Sequence, residues 1–545
     1  MDLIFHNGRI WTGCPAAPWA SAVAVNGSRI AAVGGEELLE LAGQGTQAID
    51  LEGLPLLPGL GDSHLHLAET GRGMELADLA PASSPGEMGE ILRAFIRERK
   101  LPPGRLVLGW GWNQDRFPHR QMPTLRELDA MAPENPLVLT RVCQHIAAAN
   151  SAAIALAGLD GTTPDPVGGE IGRDEDGRLN GIFRENAMGL LPQTDTGPVT
   201  QKELSQWLKN AVEKAASLGL TAVHSDDLCT IPGLTWREVL EVYCRLAQEE
   251  ALPIRVVEQC LFPSVAELEE FFALGYHPGW TVGNFSIGPL KIVSDGSLGA
   301  RTALLTQPYA DYPAAGIGMP TIPPEEMAAQ VRTAHRHGMG AVIHAIGDGA
   351  IDRALDAIQQ AREAFPEIQE TPCHGIVHCQ ITRPDQLQRI REMGVQVLAQ
   401  PVFLEYDLHM ADLRVGPELG KTSYAWRTLA ESGVPLSAGS DSPIESMDPL
   451  GNLYCAVTRQ DYQGKPVGGW HPWECLTLEQ ALTAATAGVA FAAGRREEGR
   501  VAPGLVADFT VLDRDIFTLP PPELLHTAAV MTVVGGRIVH RRVTE

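Results

Sequence analysis

Apolar positions along this chain follow two rhythms, and the change from one to the other divides it into three stretches. The first stretch alternates apolar and polar side chains in short runs, "DLIFHNGRIWTG" and "ASAVAVNGSRIAAVG", each broken by Asn-Gly, the pair that hairpin turns favour. The last stretch repeats that pattern in "ADFTVLDRD" and "AVMTVVGGRIVHRRV". Neither end holds enough strands to bury a core alone. The two are therefore expected to pair into one small β-sandwich, residues 1–55 with residues 491–545.

Residues 56–490 read differently. Continuous apolar runs ("LVLTRV", "LTAVHS", "PIRVVEQ", "GPLKIVSDG", "GMGAVIHAIGDG", "HGIVHCQ", "VQVLAQP", "PLSAGSD") alternate with helical patterns such as "EEMAAQVRTAHRHG" and "DRALDAIQQAREAF". Strand then helix, repeated roughly eight times, predicts an α/β fold of the distorted (β/α)8 TIM-barrel type. A doubly wound sheet is the alternative, but no glycine-rich dinucleotide turn or phosphate-binding loop follows an early strand. The segment at about 74–204 is too long for a single loop and is expected to form an inserted lobe.

Barrel enzymes carry their chemistry at the C-terminal ends of the strands, so the polar residues that end the apolar runs are the candidates. His64 and His66 in "GLGDSHLHL" share one face of a strand, because strand side chains alternate with period two. Glu185 follows "NGIF", and His224 and Asp226 follow "LTAV". Lys291 lies in "GPLKIV" with Asp295 beyond it, and His344, His378 and Asp441 end three later runs. A single strand-end histidine is usually held by the backbone. Several imidazoles with a carboxylate suit zinc or a similar divalent ion, and an open coordination position lowers the pKa of a bound water toward about 7.

Composition narrows the partners. Lys plus Arg total 42 and Asp plus Glu 67, a net charge of −25, which argues against a nucleic-acid or anionic-membrane partner and for a small molecule. No run is long and apolar enough to span a bilayer and the first residues lack a secretory pattern, so a cytoplasmic protein is expected. The nine cysteines include no CxxC pair, which argues against both a zinc-ribbon site and a disulfide framework. A homodimer is expected on base rates alone.

The pattern "LPGLGDSHLHL", a strand lysine, two later strand-end histidines and "SAGSDSP" resembles the amidohydrolase superfamily. More closely, "KIVSDGSLGART", "HAIGDGAID", "GSDSPIESMDPL" and "VAPGLVADFTVLDRD" resemble its YtcJ-like branch (amidohydrolase family 3), which includes N-substituted formamide deformylases. The resemblance implies a metal-dependent hydrolase of a carbon–nitrogen bond, amide-type, N-acyl or N-formyl. It implies one or two Zn2+ ions held by His64, His66 and Asp441 and by His344 and His378. It also places Lys291 where many members carry a carboxylated lysine that bridges two metals; the alternative is an ammonium paired with Asp295 or Glu185. Asp441 would act as base and then acid, with His378 assisting at the oxyanion. Two other readings stay open: a mononuclear deaminase of the same superfamily, and a barrel that binds without catalysis.

Glu185, Asp295, Arg301, Trp112 and His145 are candidate substrate contacts, each with a structural alternative: Trp112 packs the insertion, Arg301 and His145 fix loops. His335 and His337 are expected at a solvated helix end. His374 is expected not to coordinate alongside His378.

Overall fold

Eight parallel strands stand in chain order around one sheet in the computed structural model, which describes residues 1–142, 146–166, 169–192, 199–368 and 373–542. They are β1 (Leu60–Leu65), β2 (Leu220–Ser225), β3 (Arg255–Leu261), β4 (Phe285–Val293), β5 (Ala341–Ala345), β6 (Gly375–His378), β7 (Gln396–Ala399) and β8 (Leu436–Ala438). Each is almost wholly buried because helices cover the outer face and neighbouring strands the inner one. The helix Trp236–Gln248 shows how the crossovers form. Thr235 caps its N-terminus reciprocally with Glu238, and Val239, Leu240, Tyr243 and Leu246 present a buried stripe at helical spacing. Its neighbour after β3, Val265–Ala273, is capped by Ser264 and buries Leu268 and Phe271.

The sheet closes at the seam between β1 and β8. There the Asp441 N–H donates to the His64 carbonyl at 2.8 Å and the His66 N–H to the Ser442 carbonyl at 2.8 Å. Beneath them the buried Asp62 carboxylate accepts the His64 N–H (3.1 Å), the Ser440 N–H (3.1 Å) and the Ser440 hydroxyl (2.6 Å). Gly439 is required by this approach, since a Cβ on it would lie 2.7 Å from the His64 nitrogen.

One run predicted as a barrel strand lies elsewhere: Leu137–Arg141, within "LVLTRV", belongs to a second sheet, and β1 itself opens the barrel. That second sheet has six strands and the spatial order 169–173, 179–185, 146–149, 137–141, 107–112, 77–78. It lies in a compact unit made of Glu69–Trp207 and Pro232–Leu234. Periodicity could not separate the two sheets, because a short apolar run looks alike in either.

The chain termini supply two further sheets, one of N-terminal strands only (Leu3–His6, Ala22–Asn26, Arg29–Gly34, Gln47–Asp50) and one mixed. In the mixed sheet Pro55–Pro58 pairs with Arg9–Trp11 on one side and Phe509–Leu512 on the other. Phe5, Val23, Val25, Phe509 and Val533 share the core between the sheets. Asp508 holds Arg255 of β3 at 3.0 and 3.1 Å, and the Thr510 hydroxyl donates to Gly219 ahead of β2, so the terminal strands grip the N-terminal end of the barrel. Among the described residues no helix is long and apolar enough to cross a membrane.

His335 corrects a sequence expectation. It is buried, because it continues the inward row Met327, Val331 at four-residue spacing on the helix Pro324–Arg336. Its Nδ1 lies 2.9 Å from His374 Nε2, and His374 Nδ1 accepts the Ala341 N–H at 3.0 Å, tying the entrances of β5 and β6. His337 beside it is exposed, as expected of a helix end, stacked on Phe272 and 3.2 Å from Glu269. Burial, helped by Arg362, pushes the His374 pKa down to about 3. The unfolded chain binds a proton below 6.5 where the folded chain does not, so this group's stabilisation is present above 6.5 and lost as pH falls toward 3. From about pH 7.5 to 5.5 the loss is about 1.4 kcal/mol. Urea midpoints at those two pH values should show it, and His374→Gln should narrow the difference by about 1 kcal/mol; an equal difference in both proteins would assign the effect to another group.

Candidate metal centre

At the C-terminal mouth of the barrel four imidazoles meet, each delivered by a strand end: His64 and His66 from β1, His344 from β5 and His378 from β6. Ring centroids lie 5.2 Å apart for His64 and His66, 5.8 Å for His64 and His378, and 4.4 Å for His344 and His378. Asp441 enters from the loop after β8. Both His378 and Asp441 hold left-handed backbone, φ 73° and 60°, a conformation costly for residues with a Cβ and typical of functional sites.

The direction of each lone pair follows from what its ring's other nitrogen touches. His64 Nδ1 lies 2.8 Å from Gln259 Oε1, and the Gln259 amide is oriented by donating Nε2–H to the Ser63 carbonyl at 2.9 Å. His378 Nδ1 lies 2.8 Å from Gln400 Oε1, whose amide donates to the Leu398 carbonyl at 3.1 Å. An amide oxygen only accepts, so both Nδ1 atoms carry hydrogen and both Nε2 atoms keep a lone pair. His66 Nδ1 is 2.6 Å from Asp226 Oδ1, an ion-pair contact in which the ring N–H is not aligned on that oxygen. His344 Nε2 is 3.2 Å from the Gly296 carbonyl, which leaves its Nδ1 lone pair free. His64, His344 and His378 are each pinned by a hydrogen bond on one ring nitrogen with a lone pair left on the other, while His66 lies against a carboxylate. That is the second-layer arrangement of a metal-binding histidine.

Charge agrees. Burial, then Lys291, lowers the His64 pKa, and burial, then His344, holds His378 well below the ordinary histidine range, so both are neutral. Burial would raise the Asp441 pKa, but the imidazoles around it hold it well below the usual carboxylate value. Its Oδ1 lies 3.2 Å from His64 Nε2 and 3.0 Å from His66 Nε2, yet this buried oxygen has no aligned hydrogen-bond donor among the described residues. Burial also opposes the His66 shift, but Asp226 and Asp441 outweigh it and raise that pKa well above its ordinary value. The two carboxylates thus create a demand for positive charge that a proton or a divalent ion meets. Neutral imidazoles, an ionised carboxylate and an orphaned carboxylate oxygen fit a metal ion.

Lys291 is buried with Nζ 3.0 Å from His64 Nε2, and it donates to Asp226 Oδ2 at 2.8 Å. Its partner is therefore Asp226, where the sequence offered Asp295 or Glu185. Asp295 is spent on the backbone: it accepts the N–H groups of Leu304, Ile346 and Gly347, fixing the loops after β4 and β5, with His344 Nε2 at 3.3 Å. This corrects its reading as a substrate contact. Trp112 is corrected likewise, being fully buried in the lobe's core and donating Nε1–H to the Leu139 carbonyl at 2.9 Å. Arg301 pairs with Asp311 at 2.7 Å, and Arg414 joins the same carboxylate. His145 and the side chain of Glu185 lie outside the described residues. Sequence reasoning passed over Gln259, Gln400 and Asp62. Gln400 was traceable as the polar residue ending the run "VQVLAQ", but a glutamine suggests no ligand by itself.

The amidohydrolase family model matches residues 47–540. A Bacillus subtilis (strain 168) protein named as an amidohydrolase, YtcJ, is 32% identical over 99% of this chain and 100% of its own length. The N-substituted formamide deformylase of Arthrobacter pascens is 27% identical over 99% and 98%. Among solved structures, a metal-dependent hydrolase from Pyrococcus horikoshii superposes with a TM-score of 0.78 at 29% identity, covering 95% of this chain and 99% of that one. The chain belongs to the amidohydrolase family, and its barrel is that of a hydrolase.

Replacing Gln400 by Leu removes the acceptor that holds His378 Nδ1–H while keeping most of the volume. Zinc affinity, measured by competition with a chromogenic chelator, should fall about 10- to 100-fold. Native-like affinity in Gln400→Leu would show that the ring is held by packing alone.

Proposed function

We propose that this protein hydrolyses an amide-type carbon–nitrogen bond in a small N-acyl or N-formyl substrate with the help of one or two divalent ions, zinc being the ion that the nitrogen and oxygen donors suit. The observation that carries the reading is the buried Asp441 Oδ1, which lies 3.2 Å from His64 Nε2 and 3.0 Å from His66 Nε2, lacks an aligned donor among the described residues, and belongs with His64 and His378 to a group whose ligand atoms lie within 4.8 Å of one another. The family supports hydrolysis, and the named activity of the Arthrobacter relative supports the choice of bond. His64, His66, His344, His378 and Asp441 would hold the ions, with Lys291 joining them if its amine is carboxylated. A divalent ion there acts as a Lewis acid toward a carbonyl oxygen and lowers the pKa of water to about 7.

The chain's own residues then have limited roles. Asp441 is ionised and buried, so its second oxygen can take the proton of the attacking water and return it to the leaving nitrogen, which must be protonated to depart. His378 cannot serve as a hydrogen-bond donor to the oxyanion, because its one N–H is engaged by Gln400; its role is that of a ligand.

Elemental analysis of protein purified without chelators should find one to two zinc or manganese ions per chain; none after reconstitution would remove the reading. Asp441→Asn should keep the fold and lower kcat on an N-formyl or N-acyl amide by about 10²- to 10⁴-fold, and full turnover in that variant would exclude Asp441 as the base.

A further inference from the structure

Asp226 ends β2 as His64 and His66 end β1, yet no role has been assigned to it beyond its contacts. It is buried, and its two oxygens point to different members of the centre: Oδ1 to His66 Nδ1 at 2.6 Å and Oδ2 to Lys291 Nζ at 2.8 Å. Lys291 in turn touches His64 Nε2 at 3.0 Å. We propose that Asp226 is the positioning residue that couples the β1 histidines to Lys291, fixing ring and amine against each other through one carboxylate. This deepens the metal-hydrolase reading and rests on it.

The local packing holds Asp226 in place without satisfying it. The next carboxylate along the chain, Asp227, faces the other way, where it accepts the Ala68 N–H and the Ser225 and Tyr243 hydroxyls. No backbone hydrogen bond fixes the Asp226 carboxylate among those described, so its place depends on His66 and Lys291, and theirs on it. The contact to Lys291 also survives modification. If the amine lone pair bonds to the carbon of carbon dioxide and one proton leaves to solvent, the resulting carbamate nitrogen keeps one N–H, which still donates to Asp226 Oδ2. A glutamine or a backbone carbonyl, such as pins the other three histidines, offers one acceptor oxygen, whereas a carboxylate gives each group an oxygen of its own.

The test uses the full chain loaded with Zn2+ and, separately, with Co2+. Asp226→Asn should bind zinc about 10- to 100-fold more weakly and shift the visible absorption of bound cobalt, with the melting midpoint of the metal-free protein unchanged. Native affinity and an unchanged cobalt spectrum in this variant would overturn the inference while leaving the hydrolase reading intact. A fall in melting midpoint with an unchanged cobalt spectrum would also overturn it, marking an acid that serves the fold alone. If native protein binds neither metal, both readings fall together. Should Asp226→Asn not fold, Asp226→Glu keeps the charge but moves the carboxylate by one methylene; it should lose zinc affinity about tenfold, and native affinity there would equally refute the coupling.

Discussion

The seam between the first and last barrel strands is the constraint on which the centre depends. A backbone ladder joins every other neighbouring strand pair, with register shifts between β1 and β2 and between β3 and β4, but β1 and β8 meet through the Asp62 carboxylate and two backbone hydrogen bonds. Those same few atoms hold the backbone of His64, His66 and Asp441, three of the residues that converge at the mouth. Burial pushes the Asp62 pKa up to about 7 despite the N–H and hydroxyl donors around it, which measures how strongly the interior resists a charge there. Closing a barrel and building its site are in this chain one event.

Behind the inner ring of imidazoles lies a second layer of acceptors: Gln259, Asp226, Gln400 and the Gly296 carbonyl. Their chemistry differs in a way that sorts the histidines. Neutral amides hold His64 and His378, which burial keeps uncharged. A carboxylate holds His66, which is thereby the ring most receptive to positive charge. The electrostatic centre of the site is thus offset toward β1 and β2.

Much of the architecture was legible in the chain because parallel strands covered on both sides must be continuously apolar, and strand-end polar residues stand out against them. The error over Leu137–Arg141 had the same origin: a buried strand of the lobe looks the same as one of the barrel. The inner residues could be named from their types and a resemblance. The acceptors that orient them could not, since Gln259 and Gln400 acquire meaning only through the ring nitrogens they face. Asp295 shows the converse, a carboxylate beside the site whose oxygens serve three backbone N–H groups. His335 misled because two histidines near a helix end look solvated, whereas the four-residue row from Met327 decides which of them faces inward.

The seam also has a consequence for the order of events in the cell. Asp62 and Ser440 are 378 positions apart in the chain. A ribosome releases the two histidines of β1 long before it reaches Asp441, and no partial barrel lacking β8 can bring them together. The emerging chain therefore carries an unclosed HxH pair through most of its synthesis, and the complete pocket appears only when the last strand arrives.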